Sequence, residues 1–278
     1  MEWQIDQVTA YAYTGGKAFD ARLPTVVLIH GAQNDHSVWA LQSRYLAHHG
    51  FGVMALDLPG HGKSGGAALN SIELMAAWII KLLDAAGVAS AALVGHSMGS
   101  LIALECASQA PSRVSKLALL GTAFPMKVSD SLLDWAKNDE ARAIDQVAVW
   151  SHSSIAAKPS CPGPGAWLLG GNRRLAQRIA QINPDQVYFT DFSACNNYQN
   201  GLLAAQSVNC PALVVCGEQD LMTPMKAAQG LIKAINEKPD TAGAQVVKIA
   251  RCGHSMMAEQ PDQVLRALMG FLPDVRKI

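Results

Sequence analysis

The sequence of 278 residues has little charge, few aromatic side chains and no long apolar run. Charged residues make up 16% of the chain and aromatic residues 6%, and 22 Lys and Arg balance 22 Asp and Glu. A neutral chain has no overall field that attracts nucleic acid or an acidic membrane surface, so we expect neither as a partner. No segment approaches the roughly 18 apolar residues of a membrane helix, and the amino terminus lacks a basic region followed by an apolar core. We therefore expect a soluble, cytoplasmic protein.

The six cysteines show neither a Cys-x-x-Cys pair nor the spacing of a zinc site. Cys106, Cys210 and Cys216 lie within apolar runs, where a cysteine usually serves as a small buried hydrophobic residue. The cysteines therefore predict no metal site, and they suit a reducing compartment.

A serine stands at the centre of a predicted strand, turn and helix over residues 91–110. Gly95 and Gly99 flank Ser97 in a Gly-x-Ser-x-Gly pattern, which permits a turn too tight for larger side chains. Such a turn places the serine hydroxyl clear of the backbone, where a neighbouring base can activate it. The pattern predicts that Ser97 is a nucleophile.

An acid and a base follow this serine in the order that a nucleophile elbow requires. Asp220 comes after the apolar run 212–216, and Glu218 is the competing acid in the same loop. His254 comes after the run 245–249. We predict that Ser97, Asp220 and His254 are the catalytic residues.

At this point the sequence resembles the α/β-hydrolase superfamily, over nearly its whole length. Residues 26–32 are similar to the His-Gly loop of that family, residues 57–64 to its Asp-x-Pro-Gly-x-Gly-x-Ser segment, and residues 217–224 to its acid loop. The resemblance implies that the backbone N–H groups of Ala32 and Met98 form the oxyanion hole. Ordered matches of this kind are specific for the fold but much less so for the substrate.

The resemblance also implies an α/β-hydrolase fold, with a mostly parallel central sheet, helices on both faces and an inserted helical cap. Strand and helix patterns alternate over residues 1–122 and again over 209–278, which predicts the two parts of the core. The alternation stops over residues 123–208, where several helices and a Pro- and Gly-rich loop at 159–165 are predicted. We assign this middle segment to the cap.

Three tryptophans of the predicted cap, Trp135, Trp150 and Trp167, are candidates for the walls of an apolar substrate pocket, or for packing between cap helices. Three arginines share one predicted helix, namely Arg173, Arg174 and Arg178. They are candidates for binding the phosphate of a phosphopantetheine or carrier protein, or they form a solvated helix face.

Residues 60–65 also match the dinucleotide-binding pattern G-x-G-x-x-G. A phosphate-binding loop leads directly into a helix, whereas residues 66–69 separate this loop from the helix capped near Asn70 or Ser71. We therefore expect no nucleotide. The predicted chemistry needs no metal ion and no organic cofactor.

The sequence predicts a serine hydrolase that cleaves carboxylic esters of short to medium acyl chains through an acyl-enzyme. The same residues also fit a carbon-carbon bond hydrolase or enol-lactonase of aromatic degradation, or a thioesterase. A receptor that binds a small molecule within a hydrolase shell is the non-enzymatic alternative. The expected partner is a small-molecule ester, and the sequence does not decide between a monomer and a homodimer.

Overall fold

The computed structural model of the chain describes residues 1–155, 166–183, 185–237 and 243–273. Its centre is one sheet of eight strands in the order β1-β2-β4-β3-β5-β6-β7-β8. In chain order the strands are β1 (Glu2–Ile5), β2 (Val8–Tyr13), β3 (Thr25–Ile29), β4 (Gly52–Leu56), β5 (Ala91–His96), β6 (Val114–Leu120), β7 (Ala212–Gly217) and β8 (Ala244–Ile249). The pairs β1–β2 and β2–β4 are antiparallel, and all the others are parallel.

The central strands are buried on both faces, as continuous apolar runs predict for a parallel sheet. Successive side chains of β3 alternate between two core clusters: Val27 and Ile29 belong to one, and Val26 and Leu28 to the other. Helices must therefore cover both faces, and the predicted α/β-hydrolase fold is confirmed. The strands β1 and β2 form an antiparallel pair at one edge of the sheet.

Helices fill the connections between the strands. They are α1 (Ala40–His48), α2 (Ile72–Ala85), α3 (Met98–Gln109), α4 (Asp130–Asn138), α5 (Glu140–Trp150), α6 (Leu168–Ile182), α7 (Val187–Asn197), α8 (Gly201–Ser207), α9 (Met225–Asn236), α10 (Met256–Glu259) and α11 (Pro261–Phe271). Residues of α2, α3, α8 and α9 pack on one face of the sheet, and residues of α1 and α11 on the other. Within the described ranges, no helix combines the length and apolar character needed to cross a membrane.

Four helices between β6 and β7, α4 to α7, form a layer of their own, called the inserted helices below. They share a separate apolar cluster that includes Leu132, Ile144, Ala176 and Phe192. The next helix, α8, instead packs on α3 and α9 beside the sheet. The Pro- and Gly-rich loop predicted at residues 159–165 lies outside the described residues.

Candidate active site

Ser97 lies at the junction of β5 and α3, on a backbone with φ 53° and ψ −121°. A residue with a side chain adopts this positive φ only when the surroundings impose it. Neighbouring backbone imposes it here: a Cβ atom at Gly95 would collide with the carbonyl of Gly99, and one at Gly99 with the carbonyl of Ile29. The turn is therefore as tight as the Gly-x-Ser-x-Gly pattern predicts.

Hydrogen bonds connect this turn to the end of strand β6 and to Thr122, two residues beyond it. The Ser97 N–H donates to the carbonyl of Leu120 over 2.9 Å. The hydroxyl of Ser100 donates to the carbonyl of Ser97, and its oxygen accepts from the Thr122 hydroxyl over 2.8 Å. Two hydroxyl groups thus connect the first turn of α3 to the segment that follows β6.

Asp220 lies in the loop after β7 and is buried, whereas Glu218 in the same loop is exposed. Its Oδ1 accepts hydrogen bonds from the N–H groups of Met222 and Thr223, and its Oδ2 accepts one from the Thr223 hydroxyl. Burial raises the pKa of Asp220, but His254 and the bonds from Thr223 outweigh it and hold this pKa below its usual range. The carboxyl group is therefore ionised at neutral pH.

His254 follows β8 and contacts this carboxylate. Its Nδ1 lies 2.8 Å from Asp220 Oδ2 and 3.1 Å from Thr223 Oγ1. The Nδ1–H donates to the carboxylate, which leaves Nε2 as the basic nitrogen. The carbonyl of His254 accepts a hydrogen bond of 2.8 Å from His96 Nε2, so the elbow and the histidine loop are joined directly.

A small cavity of about 50 Å³ brings Ser97 and His254 together, and Ala32 also lines it. Met98, the other residue predicted for the oxyanion hole, is the first residue of α3, which has no side-chain cap. The first N–H groups of a helix have no partner within the helix, so the Met98 N–H is available to an anion. The structure thus places the five predicted residues beyond the carboxyl ends of four strands, namely β3, β5, β7 and β8.

Two larger cavities adjoin this one. A cavity of about 180 Å³ also contacts Ser97 and Ala32, and its walls are mostly apolar. A cavity of about 660 Å³ shares Asn34, His96 and Ser255 with the small one and extends along α6 and α1. Both lie between the sheet and the inserted helices.

The three tryptophans predicted for the pocket take three different positions. Trp150 lines the cavity of about 180 Å³, and Trp167, which is 59% exposed, lines the cavity of about 660 Å³. Trp135 packs in the cluster of the inserted helices, with the Arg142 guanidinium 4.2 Å from its ring centre. Trp135 is not among the residues that line these three cavities.

The three arginines of α6 also differ from one another. Arg173 forms an ion pair with Asp145, and Arg178 with Asp35. Arg174 lines the cavity of about 660 Å³ and is exposed. Within the described ranges, Arg174 has no ion-pair partner.

Asp35, His36 and Asp57 bring three potential metal ligand atoms within 4.8 Å of one another. Their carboxylates already have partners: Asp57 accepts hydrogen bonds from His36 and from the Lys63 N–H, and Asp35 pairs with Arg178. These contacts shape the Gly-rich loop, and we assign no metal to the cluster.

Sequence reasoning missed Thr223, which holds Asp220 and contacts His254. Its position three residues after the acid is the only signal that the sequence offers, because an Asp side chain often accepts hydrogen bonds from the backbone two or three residues later. It also missed Asp191 on α7, whose carboxylate contacts the Gln33 N–H and His61.

The fold is that of an α/β hydrolase. The model of the alpha/beta hydrolase fold family matches residues 24–261, and the chain belongs to this family. A 2-hydroxy-6-oxononadienedioate/2-hydroxy-6-oxononatrienedioate hydrolase of Dechloromonas aromatica is 30% identical over 267 residues, covering 89% of this chain and 86% of that protein.

Other relatives have different names. The dihydrolipoyllysine-residue acetyltransferase component of the acetoin cleaving system of Pseudomonas putida is 28% identical over 89% of this chain, which spans only 63% of the length of that protein. An esterase structure from Exiguobacterium antarcticum has a TM-score of 0.81 and 20% identity over 98% of each chain, which shows the shared fold alone.

Proposed function

We propose that the protein is a serine hydrolase that cleaves carboxylic esters of short to medium acyl chains. The observation that carries this proposal is the meeting of Ser97, the His254–Asp220 pair and Ala32 around one cavity. A hydroxyl, a base held by a carboxylate and a free backbone N–H are the components of acyl transfer.

In the proposed reaction, His254 Nε2 takes the proton of Ser97 as the hydroxyl oxygen attacks the ester carbonyl. The N–H groups of Ala32 and Met98 stabilise the oxyanion of the tetrahedral intermediate, and each such donor is worth about 3 to 4 kcal/mol elsewhere. The imidazolium then protonates the leaving alcohol, and an acyl-enzyme remains on Ser97. Water, activated by the same histidine, releases the acid.

The cavities support a short acyl group. The acyl carbon is bonded to Ser97 after the first step, so its chain belongs in the cavity of about 180 Å³, which contacts both Ser97 and Ala32. At about 30 Å³ per water-sized group, this cavity holds roughly six such groups. The cavity of about 660 Å³ is left for the alcohol part of the ester.

Esterase kinetics against acyl length test this proposal. Each methylene buried in the acyl cavity contributes about 0.8 kcal/mol, or about a fourfold gain in kcat/KM. For p-nitrophenyl esters from acetate to palmitate, we expect kcat/KM to rise over the first few carbons and then to fall. A preference for the longest chains would contradict the assignment of the acyl cavity.

A second candidate function is hydrolysis of a carbon-carbon bond in a dicarboxylate from ring cleavage. Two observations favour it: the relative at 30% identity is named for a dioate, and Arg174 lines the large cavity without an ion-pair partner in the described part of the chain. The test compares that dioate with p-nitrophenyl acetate in the wild type, R174Q and the control R173Q. If the dioate is a substrate, R174Q should lower its kcat/KM selectively. If the wild type turned over the ester and not the dioate, hydrolysis of a carbon-carbon bond would be excluded. An acyl-CoA in the same panel tests for thioesterase activity.

A further inference from the structure

A buried carboxylate of the inserted helices contacts both the Gly-rich loop and the loop that carries Ala32. Asp191 of α7 and His61 of the Gly-rich loop are 0% and 1% exposed, and Asp191 Oδ2 lies 2.9 Å from His61 Nε2. The same carboxylate oxygen accepts a 2.8 Å hydrogen bond from the backbone N–H of Gln33, the residue after Ala32. The other oxygen, Oδ1, is buried and has no hydrogen-bond partner among the described residues. Oδ2 therefore makes both of these hydrogen bonds.

The geometry around His61 indicates that the ring is an imidazolium. Its Nδ1 lies 3.0 Å from the carbonyl of Pro59, and its Nε2 faces the carboxylate, so both ring nitrogens face acceptors. Burial lowers the pKa of His61, but the charge and hydrogen bond of Asp191 outweigh it and the pKa is raised. The positive charge of His61 in the Gly-rich loop and the negative charge of Asp191 in α7 thus compensate each other in the interior.

A second histidine holds the other end of the same loop. His30 Nε2 accepts a hydrogen bond from the Leu58 N–H, so its Nδ1 carries the hydrogen and donates to the carbonyl of Gly31 over 2.8 Å. This carbonyl belongs to the same peptide unit as the Ala32 N–H. The peptide that supplies the proposed oxyanion donor is therefore fixed at its carbonyl, and the next peptide is fixed at its N–H by Asp191.

Gln33 shows that this loop needs such restraint. Its φ is 48°, in the left-handed region, which costs free energy for any residue other than glycine. The Asp191 carboxylate bonds the N–H of this very residue, and it reaches the loop from a helix 158 residues further along the chain.

We propose that Asp191 is a positioning residue that, held by His61, fixes the direction of the Ala32 N–H and so completes the oxyanion hole from α7. This inference rests on the proposed function, because it assigns the Ala32 N–H to an oxyanion. It gives the inserted helices a part in transition-state stabilisation.

The test uses D191N and D191A, with D145N as the matched control. Asp145 is also a carboxylate of the inserted helices paired with a cation, Arg173, but the pair is exposed. We expect kcat of D191A to fall by about 10- to 100-fold, since misplacing an oxyanion donor costs less than removing it. D191N keeps an oxygen that can accept from the Gln33 N–H and should lose less, whereas D145N should be unchanged.

A trifluoromethyl ketone separates positioning from a merely structural role, because its adduct with the serine carries an oxyanion. We expect its affinity to fall by the same factor as kcat/KM across the variants, with KM for the ester changed less than about threefold. If D191N unfolds because it leaves the His61 charge buried without a partner, the double variant H61N/D191N replaces it in the test. This variant removes both buried charges, so we expect it to fold and to have a low kcat. Circular dichroism and the melting temperature verify the fold of each variant.

Folded variants with the kcat and ketone affinity of the wild type would overturn this inference alone. So would a raised KM with an unaffected ketone affinity, because it would show a role in substrate binding. A wild type that neither hydrolyses esters nor binds the ketone would overturn the proposed function, and the role of Asp191 with it.

Discussion

Two buried histidines, His30 and His96, should make the free energy of unfolding decrease at acidic pH. Burial lowers the pKa of His30 to about 4 and that of His96 to about 3, with neighbouring histidines adding to the effect. The hydrogen bonds agree with neutral rings, because His96 donates through Nε2 while its buried Nδ1 has no partner among the described residues. We therefore expect the native state to lose stability as these positions become protonated in the unfolded chain.

Proton linkage gives the direction and the magnitude of this change in unfolding free energy with pH. Below pH 6.5 the unfolded chain binds a proton at each histidine and the native state does not, so the free energy of unfolding falls with falling pH. Between pH 8 and pH 5 each histidine accounts for about 2 kcal/mol, and the pair for about 4 kcal/mol. His61 acts in the opposite direction, because its raised pKa gives stability that is present below pH 6.5 and lost as pH rises through the native value. Asp220, whose pKa is lowered, loses its contribution only below about pH 4.

Guanidinium unfolding at pH 8 and pH 5 measures this effect, and H96N isolates one of the two histidines. Asparagine does not titrate, so the loss of unfolding free energy between the two pH values should be smaller by about 2 kcal/mol in H96N than in the wild type. The contribution of His61 cancels in this comparison. Equal pH dependence in the two proteins would refute the assignment of a neutral, buried His96.

Three further predictions concern the site and its elbow. S97A and H254A should each lower kcat by several orders of magnitude, and the double variant should be little worse than either, because the residues act as a unit; additive losses in steady-state kinetics would contradict this. W150A should move the optimum of kcat/KM toward longer acyl chains, whereas W135A, whose ring lies away from the three cavities, should not. G99A should lower the melting temperature or prevent folding, because its Cβ would meet the carbonyl of Ile29; G171A, with no atom within 4 Å of a Cβ, is the control.

Sequence reasoning located the candidate triad because each residue follows an apolar run, and the carboxyl ends of parallel strands meet at one edge of a sheet. Ser97 follows β5, Asp220 follows β7 and His254 follows β8, and the order of these strands in the sheet is sequential from β5 to β8. Local sequence patterns were therefore enough to predict that these three residues, distant in sequence, lie close together in the fold.

The contacts around the oxyanion loop could not be predicted in the same way. His61 and Asp191 are 130 residues apart, and only the packing of α7 over the loops brings them together. The positions of the tryptophans in the inserted helices could not be predicted either. The apolar pattern of a helix does not distinguish a side chain that lines a cavity from one that packs against another helix. Trp135 and Trp150 both contact the apolar cluster of the inserted helices, yet of the two only Trp150 also lines the cavity of about 180 Å³.

Labelling with a fluorophosphonate, followed by peptide mapping, tests the central claim most directly. Such a reagent reacts with a serine that has both a base and an oxyanion site beside it, so its reaction depends on mechanism and requires no knowledge of the substrate. We predict modification of Ser97 alone, with loss of esterase activity in step with labelling, and no labelling in H254A. Modification of another residue while Ser97 stays free, or full esterase activity after Ser97 is modified, would contradict the account.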